Sequence, residues 1–329
     1  MKRLESGPKT KRAMARTKGD AVHGWLILDK PLGLTSTKAL AIARRLLNAN
    51  KAGHAGTLDP LANGVLPLAF GEATKTVPYL VEARKTYRFT VRWGEETTTD
   101  DAEGPVTRES AVRPTLEQIL TGLPAFVGEI MQTPPAFSAV KVDGERAYDL
   151  AREGETVVLQ PRIAHIHRLE AVELVDADHC IFEMVCGKGT YVRAFARDFG
   201  RALGCLGHVR ALTRLGVGPF RLKAAISLEQ LEESAKGGAA KRLLMPLATA
   251  LDDIPGLAVT DQEAAQLRLG QAILARGRVS LREEAVAEGE AQYAQPVFCR
   301  SRGGDPVAIA AFDRGELRPT RVFNFSTRG

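Results

Sequence analysis

The chain has 329 residues, of which 44% are hydrophobic, and this excludes disorder along its whole length. Its length suggests roughly two domains. Basic residues exceed acidic ones by six, which favours a nucleic-acid partner. Residues 1–20 contain seven basic and two acidic residues, however, so most of the excess lies in this terminal segment.

Several protein classes are excluded by the distribution of special residues. The four cysteines form no CxxC pair, which argues against a disulfide scaffold or zinc knuckle and favours reduced thiols in a cytoplasmic protein. No apolar run approaches the ~18 residues of a membrane span, and no apolar segment follows the basic N-terminus as in a secretory signal. His165 and His167 would share one face of a strand, but no third ligand lies nearby in the sequence, so we expect no metal.

The N-terminal part of the chain alternates between charged and apolar segments. Residues 1–21 are charged and predict a disordered tail. Residues 25–28 predict a buried strand, and Ser36 can cap a helix over 37–48. Residues 51–71 are rich in Gly and Pro and predict a long loop.

The middle of the chain contains its clearest strand. Over 86–93, apolar and polar side chains alternate strictly, which places Tyr87 on the apolar face. The acidic stretch 94–110 predicts a loop, and 115–121 predicts a helix. Residues 132–148 predict extended chain with a turn at Asp-Gly.

The residue pattern of the C-terminal half changes after Met245. Before that point, the pattern predicts a strand over 181–186 and helices over 190–203 and 227–236. Residues 256–329 contain short strand-like runs broken by Gly, Arg and Asp, which predict a small β-rich domain.

The sequence Gly-His-Ala-Gly-Thr-Leu-Asp-Pro at 53–60 is the first candidate for chemistry. Two glycines and a proline constrain the backbone around one acid, Asp59, and a residue before proline is held extended or in a turn. Such a carboxylate suits a nucleophile or a general base. The alternative is an Asx-turn in which Asp59 only accepts backbone hydrogen bonds.

A basic cluster at 182–225 is the second candidate. It contains eight basic and two acidic residues, and Arg193, Arg197 and Arg201 lie on one helix face. Arg favours the ionised form of a nearby carboxylate, whereas the alternative is a solvated helix face. The aromatic residues in the same region suit stacking on unpaired bases. Tyr87 has the same two interpretations, core packing or contact with a base.

These segments together resemble the bacterial tRNA pseudouridine synthase B family. Six blocks match in the family's order: Gly24–Ser36, Lys51–Pro67, Gly71–Lys75, Lys85–Phe89, Pro134–Lys141 and Gly187–Arg193. The resemblance implies an α+β fold, in which a central, mainly antiparallel mixed sheet is flanked by helices. It further implies a catalytic domain over 22–250 with a thumb-like insertion at about 130–155, and a PUA-like RNA-binding domain over 256–329.

The resemblance also implies an activity and its residues. The family isomerises the T-loop uridine (uridine-55) of tRNA to pseudouridine, needs no cofactor or metal, and acts on the T-arm without an obligate protein partner. Asp59 matches the nucleophile, Tyr87 the residue that stacks on uracil and handles a ribose proton, and Arg193 the partner of the aspartate. The implied substrate contacts are His54, Tyr191, Leu212, Lys30 and Lys141.

Three other functions remain as alternatives. A tRNA-folding chaperone role is compatible with the synthase activity, because base extrusion disrupts T-loop contacts. A guide-RNA-dependent relative shares the block around Asp59 but requires accessory factors. A hydrolase that does not act on RNA is disfavoured, since no base or metal set supports Asp59.

Overall fold

A nine-stranded sheet and a separate five-stranded sheet organise the chain. The computed structural model describes residues 19–138, 140–142, 145–146, 159–275 and 295–325. The strands in these ranges are β1 (Gly24–Lys30), β2 (Ala52–His54), β3 (Ala62–Phe70), β4 (Lys85–Trp93), β5 (Glu95–Thr97), β6 (Val106–Glu109), β7 (Gly128–Gln132), β8 (Lys141–Val142), β9 (Glu145–Arg146), β10 (Arg162–Leu174), β11 (His179–Cys186), β12 (Gly207–Val217), β13 (Phe220–Arg221), β14 (Gly256–Val259), β15 (Ile273–Leu274), β16 (Gln295–Ser301), β17 (Pro306–Asp313) and β18 (Glu316–Val322).

The helices are shorter and lie between these strands. The α-helices in the same ranges are α1 (Ser36–Leu46), α2 (Val77–Glu82), α3 (Leu116–Gly122), α4 (Val192–Ala202), α5 (Leu228–Lys236) and α6 (Asp261–Arg268). Short 3-10 helices cover Gly71–Thr76, Leu123–Phe126, Leu222–Ala224, Ala240–Leu243 and Leu247–Leu251. None of the helices among the described residues is long and apolar enough to cross a membrane.

The large sheet is mainly antiparallel, as expected. Its strand order is β1-β3-β12-β4-β11-β10-β7, with β2 beside β3 and β13 beside β12. The β3–β12 pair is parallel, whereas β4 is antiparallel to both β11 and β12. The expected α+β class with a mixed, mainly antiparallel sheet is confirmed.

Aromatic side chains fill the space between this sheet and α4. The rings of Phe195 and Phe199 stack with their centroids 5.2 Å apart. Phe182 packs edge-on against both rings, and Trp93 packs edge-on against Phe199 and Phe182. Burial of such rings dominates core energetics, because each removes a large apolar area from water. The alternation predicted for β4 is confirmed, since Phe89, Val91 and Trp93 are all buried there.

The C-terminal β-rich domain is also confirmed. Its sheet has the order β14-β16-β17-β18-β15, and its core includes side chains from α6. A shared apolar cluster joins it to the first sheet, because Phe298, Ile309 and Phe323 pack into the same cluster as Trp25 and Leu251.

Two predicted loops contain strands. Residues 51–71 form β2, a short loop and β3, because β3 is buried on both faces and therefore lacks the alternation that marks a half-buried strand. The acidic stretch 94–110 contains the β5–β6 hairpin.

Two boundaries also differ from expectation. Thr35, not Ser36, caps α1, because its hydroxyl accepts the Lys38 N–H while Ser36 bonds the backbone of Leu58. The predicted tail is too long by at least two residues, because Asp20 pairs with the segment around Ala49. Residues 1–18, 276–294 and 326–329 lie outside the described residues, as do residues 139, 143–144 and 147–155 of the predicted insertion at 130–155.

Candidate active site

A cavity of about 270 Å³ opens between the loop after β2, the start of β4 and the start of α4. This volume lies just below the usual range for ligand sites, roughly 300–1,000 Å³. Five of the predicted site residues line the cavity: Asp59, Tyr87, Tyr191, Arg193 and Leu212. Elements far apart in the sequence therefore bring these side chains together.

The loop that carries Asp59 is fixed by backbone contacts on both sides. The Ser36 hydroxyl accepts the Leu58 N–H at 2.8 Å and donates to the Leu58 carbonyl at 3.0 Å. The Asp59 carbonyl accepts the Ala62 N–H, and the Pro60 carbonyl accepts the Gly33 N–H. The carboxylate of Asp59 is thereby held at the cavity wall with 39% of its side chain exposed.

Arg193 holds the Asp59 carboxylate by a short ion pair. Its Nη2 lies 3.0 Å from Asp59 Oδ2, and its Nε lies 3.6 Å from Oδ2 of the buried Asp101. The guanidinium also donates to the carbonyls of Thr99 and Phe137, each at 2.8 Å. Among the described residues no backbone N–H donates to the Asp59 carboxylate, so the Asx-turn alternative is not the arrangement found.

Acidic side chains also neutralise the rest of the arginine stripe on α4, where Arg197 is buried and Arg201 is half exposed. Arg197 lies 2.9 Å from Asp100 and 2.8 Å from Asp198, and Arg201 donates to Glu96. Burial raises the pKa of Asp100 to about 6 although Arg197 opposes that shift. The solvated-face alternative is therefore wrong for Arg193 and Arg197, whose side chains are buried and paired with carboxylates.

Arg214 on β12 is another buried cation, and sequence reasoning missed its place in the site. Its side chain donates to the Val65 carbonyl at 2.8 Å and to the Gly56 carbonyl at 3.0 Å. In the sheet register, Arg214 lies between Gly64 on β3 and Tyr87 on β4. A Cβ on Gly64 would overlap the Arg214 carbonyl oxygen, so only glycine permits this approach.

The two tyrosines of the cavity are held differently. Tyr87 stands in the β4 register directly opposite Arg214; burial raises the pKa of its phenol, and the charge and hydrogen bond of Arg214 lower it. Tyr191 exchanges two backbone hydrogen bonds with the Gln132 amide, at 2.8 and 3.1 Å. Burial also raises the pKa of Tyr191, and the adjacent Ser138 hydroxyl opposes this.

Two buried lysines flank the site. Lys30 does not line the cavity; its Nζ donates to the carbonyls of Pro31 and Leu34, at 2.9 and 2.6 Å. Lys85 does line the cavity and donates to the Val81 carbonyl. Burial lowers the pKa of each lysine to about 8. Sequence reasoning did not select Lys85, although its position in the matching block Lys85–Phe89 could have identified it as a site residue.

His54, another predicted contact, does not line the cavity. His54 ends β2, and its buried Nδ1 has no hydrogen-bond partner. Burial and the charge of Arg214 both lower the pKa of His54. The side chain of Lys141 lies outside the described residues.

Two hydroxyl groups in the cavity wall complete the polar lining. The Oγ of Ser138 lies beside the Tyr191 phenol and the Oγ1 of Thr190 lies beside the Cys186 thiol, but neither hydroxyl has a hydrogen bond of good geometry. A hydroxyl can donate one hydrogen bond and accept two, so each group keeps the capacity to bond a ligand. No set of three or more metal-ligating side chains occurs in the described parts of the chain.

Comparison with solved structures defines the fold class. A chain in an H/ACA RNP bound to a substrate RNA containing 2′-deoxyuridine matches with a TM-score of 0.71 and 21% identity, covering 96% of this chain and 93% of that one. A Cbf5-Nop10-Gar1 complex contains a chain that matches with a TM-score of 0.71 and 23% identity, covering 96% and 92%.

The sequence comparisons define the family. The profile of the TruB family pseudouridylate synthase N-terminal domain matches residues 44–192, and that of the tRNA pseudouridylate synthase B C-terminal domain matches residues 193–252. The chain therefore belongs to the TruB family of pseudouridylate synthases. Proteins named tRNA pseudouridine synthase B from Bradyrhizobium diazoefficiens and Caulobacter vibrioides are each 52% identical to it, covering 99% and 94% of this chain and 93% and 99% of their own.

Proposed function

We propose that this protein is a tRNA pseudouridine synthase, an isomerase that converts the T-loop uridine (uridine-55) of tRNA to pseudouridine. The observation that supports this most directly is the Asp59–Arg193 ion pair, 3.0 Å long, in the wall of a small cavity. The relatives that carry this name are 52% identical over almost their whole length.

The target base must leave the T-loop stack and enter the cavity, at a cost of a few kcal/mol. There the bond from ribose C1′ to uracil N1 breaks, the base turns, and C1′ bonds to C5, whose proton is lost while N1 gains one. No electrons or external groups are exchanged, so the reaction needs no cofactor or metal.

Asp59 is the nucleophile in this proposal. Addition to uracil C6, attack on C1′ and a glycal intermediate each need one carboxylate in contact with the nucleotide, and its exposed position at the wall suits all three. Arg193 orients the carboxylate, since carbonyls and Asp101 fix the guanidinium on its other sides.

The remaining predicted residues have supporting roles. Tyr87 stacks on the uracil and handles a ribose proton, and Tyr191 and Leu212 bound the base. Lys30 shapes the loop before α1. His54 fills the space left by the extruded base, and Lys141 contacts the RNA.

The wider RNA contacts follow from the domain organisation. We assign the catalytic domain to 22–250, with a thumb-like insertion at about 130–155, and a PUA-like RNA-binding domain to 256–329. The basic segment 1–21 adds salt-dependent affinity that is blind to sequence. The substrate is the T-arm of tRNA in the cytoplasm, with no obligate protein partner.

Replacement of the carboxylate tests the proposal. Purified protein is incubated with unmodified T-arm RNA, and pseudouridine is mapped at each uridine. We expect the wild type to convert only the T-loop uridine and to need no accessory factor. We expect Asp59→Asn to bind the RNA normally without converting it.

Two outcomes would contradict the assignment. Turnover by Asp59→Asn would show that another group is the nucleophile, and activity only with an added guide RNA would place the protein in the guide-dependent class. A tRNA-refolding assay with Asp59→Asn would show whether the protein also has the chaperone role, which does not require catalysis.

A further inference from the structure

Arg214 differs from the other buried arginines in having no acidic partner. Only 1% of its surface is exposed, yet among the described residues no carboxylate lies within ion-pair distance of its guanidinium. A buried charge without a counter-charge is costly. Replacement by an apolar side chain of similar size would remove that cost, so its presence here calls for a functional reason.

The position of Arg214 connects the two reactive parts of the site. Its hydrogen bonds to the carbonyls of Gly56 and Val65 tie the start of the Asp59 loop to β3. Its place in the sheet register, opposite Tyr87, sets the guanidinium beside the phenol at the cavity wall. One rigid group therefore fixes the distance between the loop and the phenol.

We propose that Arg214 is a positioning residue of the isomerisation. It holds the Asp59 loop and the Tyr87 phenol in one geometry, and its unneutralised charge stabilises the phenolate form of Tyr87, which is the form that accepts a proton. This inference rests on the proposed function and adds to it a role for the buried guanidinium of Arg214 next to the cavity.

The proton transfer balances in the glycal route. The ribose C2′–H bond breaks and its electron pair forms the C1′–C2′ double bond. The uracil leaves C1′ with the electrons of the glycosidic bond, and the Tyr87 phenolate takes the proton. When C5 of the turned base attacks C1′, the double bond recovers the proton from the phenol, and the C5 proton is then lost as N1 gains one.

The electrostatic surroundings of Tyr87 agree with this role. Burial raises the pKa of the phenol, as do Cys186 and Asp59 to a smaller extent, whereas Arg214 is the group that lowers it. The other ionisable groups that line the same cavity are Lys85, Lys188, Tyr191 and Arg193. Because Lys85 has a pKa of about 8, every comparison must be made with Lys85 intact.

A pair of substitutions separates charge from hydrogen bonding. Arg214→Gln and Arg214→Lys both keep donors for the loop carbonyls, but only the second keeps the charge. The exposed Arg88, next to Tyr87 on the same strand but on the opposite face, provides the control Arg88→Gln. The first readout is an ultraviolet absorbance titration of the tyrosines, in which each variant is compared with the same variant carrying Tyr87→Phe.

The second readout is the pH dependence of the single-turnover rate on T-arm RNA. In Arg214→Gln we expect the Tyr87 pKa to rise by about one unit or more, and the rate profile to move to higher pH by the same amount. At pH 8 this is about a tenfold loss of rate. Arg214→Lys should keep the wild-type pKa of Tyr87 and a rate profile at the same pH. Arg88→Gln should change neither the pKa of Tyr87 nor the rate profile.

The outcomes decide between a catalytic and a merely structural role. An unchanged Tyr87 pKa and an undisplaced rate profile in folded Arg214→Gln would overturn the proposal. If Arg214→Gln does not fold, the test uses Arg214→Lys instead. A displaced pH profile of the single-turnover rate in Arg214→Lys would also overturn the proposal. The titration needs no RNA, so wild-type protein that fails to convert uridine would refute the proposed function while the effect of Arg214 on Tyr87 is still measured.

Discussion

The two flanks of the cavity hold buried positive charge in opposite ways. On the α4 flank, carboxylates neutralise each arginine: Asp59 and Asp101 face Arg193, and Asp100 and Asp198 face Arg197. These charges fix geometry but leave little net charge for a ligand, because each guanidinium is already paired.

On the opposite flank, backbone carbonyls hold the cations. Lys30, Lys85 and Arg214 donate to carbonyl oxygens and form no ion pair within the described chain. Carbonyl dipoles satisfy the donors without cancelling the charge, so this flank keeps a positive potential next to the cavity. Under the proposed function, we expect the neutralised cations to orient Asp59 and the unneutralised ones to act on the nucleotide and on Tyr87.

The largest expected effect on turnover comes from replacing Arg193, and the same replacement at Arg197 on the same flank should not produce it. Arg193→Met should lower kcat by about 10²–10³-fold, since the group that orients Asp59 is lost. It should also lower the free energy of unfolding by about 3–5 kcal/mol, because the buried Asp101 loses its cationic partner and, within the described chain, keeps only the hydrogen bonds from Thr99 and Glu103. Single-turnover kinetics and urea unfolding measure the two effects.

Arg197→Met is the matched control for that prediction. It leaves Asp100 buried and unpaired, so a similar loss of stability is expected, but the Asp59–Arg193 pair remains intact. A loss of kcat in Arg197→Met equal to that in Arg193→Met would show that the stripe acts as one structural unit.

The next effect tests how β12 places Arg214. Gly64 has φ +98° and no room for a Cβ against the Arg214 backbone, so Gly64→Ala should destabilise the fold by about 2–4 kcal/mol. At Gly53 on β2 the space around a Cβ is open, and Gly53→Ala should change stability by less than about 1 kcal/mol. Equal urea midpoints for the two variants would refute the close approach.

The sequence predicted more of the fold than of the site's electrostatics. The alternation of β4 and the block around Asp59 were readable because each depends on local pattern. β3 was missed because a strand buried on both faces loses its alternation and its Gly and Pro resemble a loop. Charge counts located the basic cluster, but they could not show that Arg197 pairs with the buried Asp100 while Arg214 donates to the Val65 carbonyl, since these partners lie about 100 residues or more away in the sequence.

A smaller effect tests Lys85, one of the cations that donate to backbone carbonyls, through the pH dependence of protein stability. The pKa of Lys85 is about 8 in the folded protein against 10.5 as its ordinary value, so the unfolded chain binds more protons between those pH values. The stability of the wild type relative to Lys85→Met should therefore rise as pH increases from about 8 to 10.5, by up to about 3 kcal/mol. Urea unfolding at several pH values measures this, and a difference independent of pH would contradict it.

The smallest effect concerns the Ser138 hydroxyl, which is buried in the cavity wall beside the Tyr191 phenol and makes no hydrogen bond of good geometry there. We expect a bound nucleotide to form a hydrogen bond with it. Ser138→Ala should raise KM for T-arm RNA about 3–10-fold, because a net hydrogen bond contributes about 0.5–1.5 kcal/mol. Stability should be unchanged or slightly higher, since an unsatisfied buried hydroxyl is removed. A loss of stability with unchanged KM would show instead that the hydroxyl serves the fold.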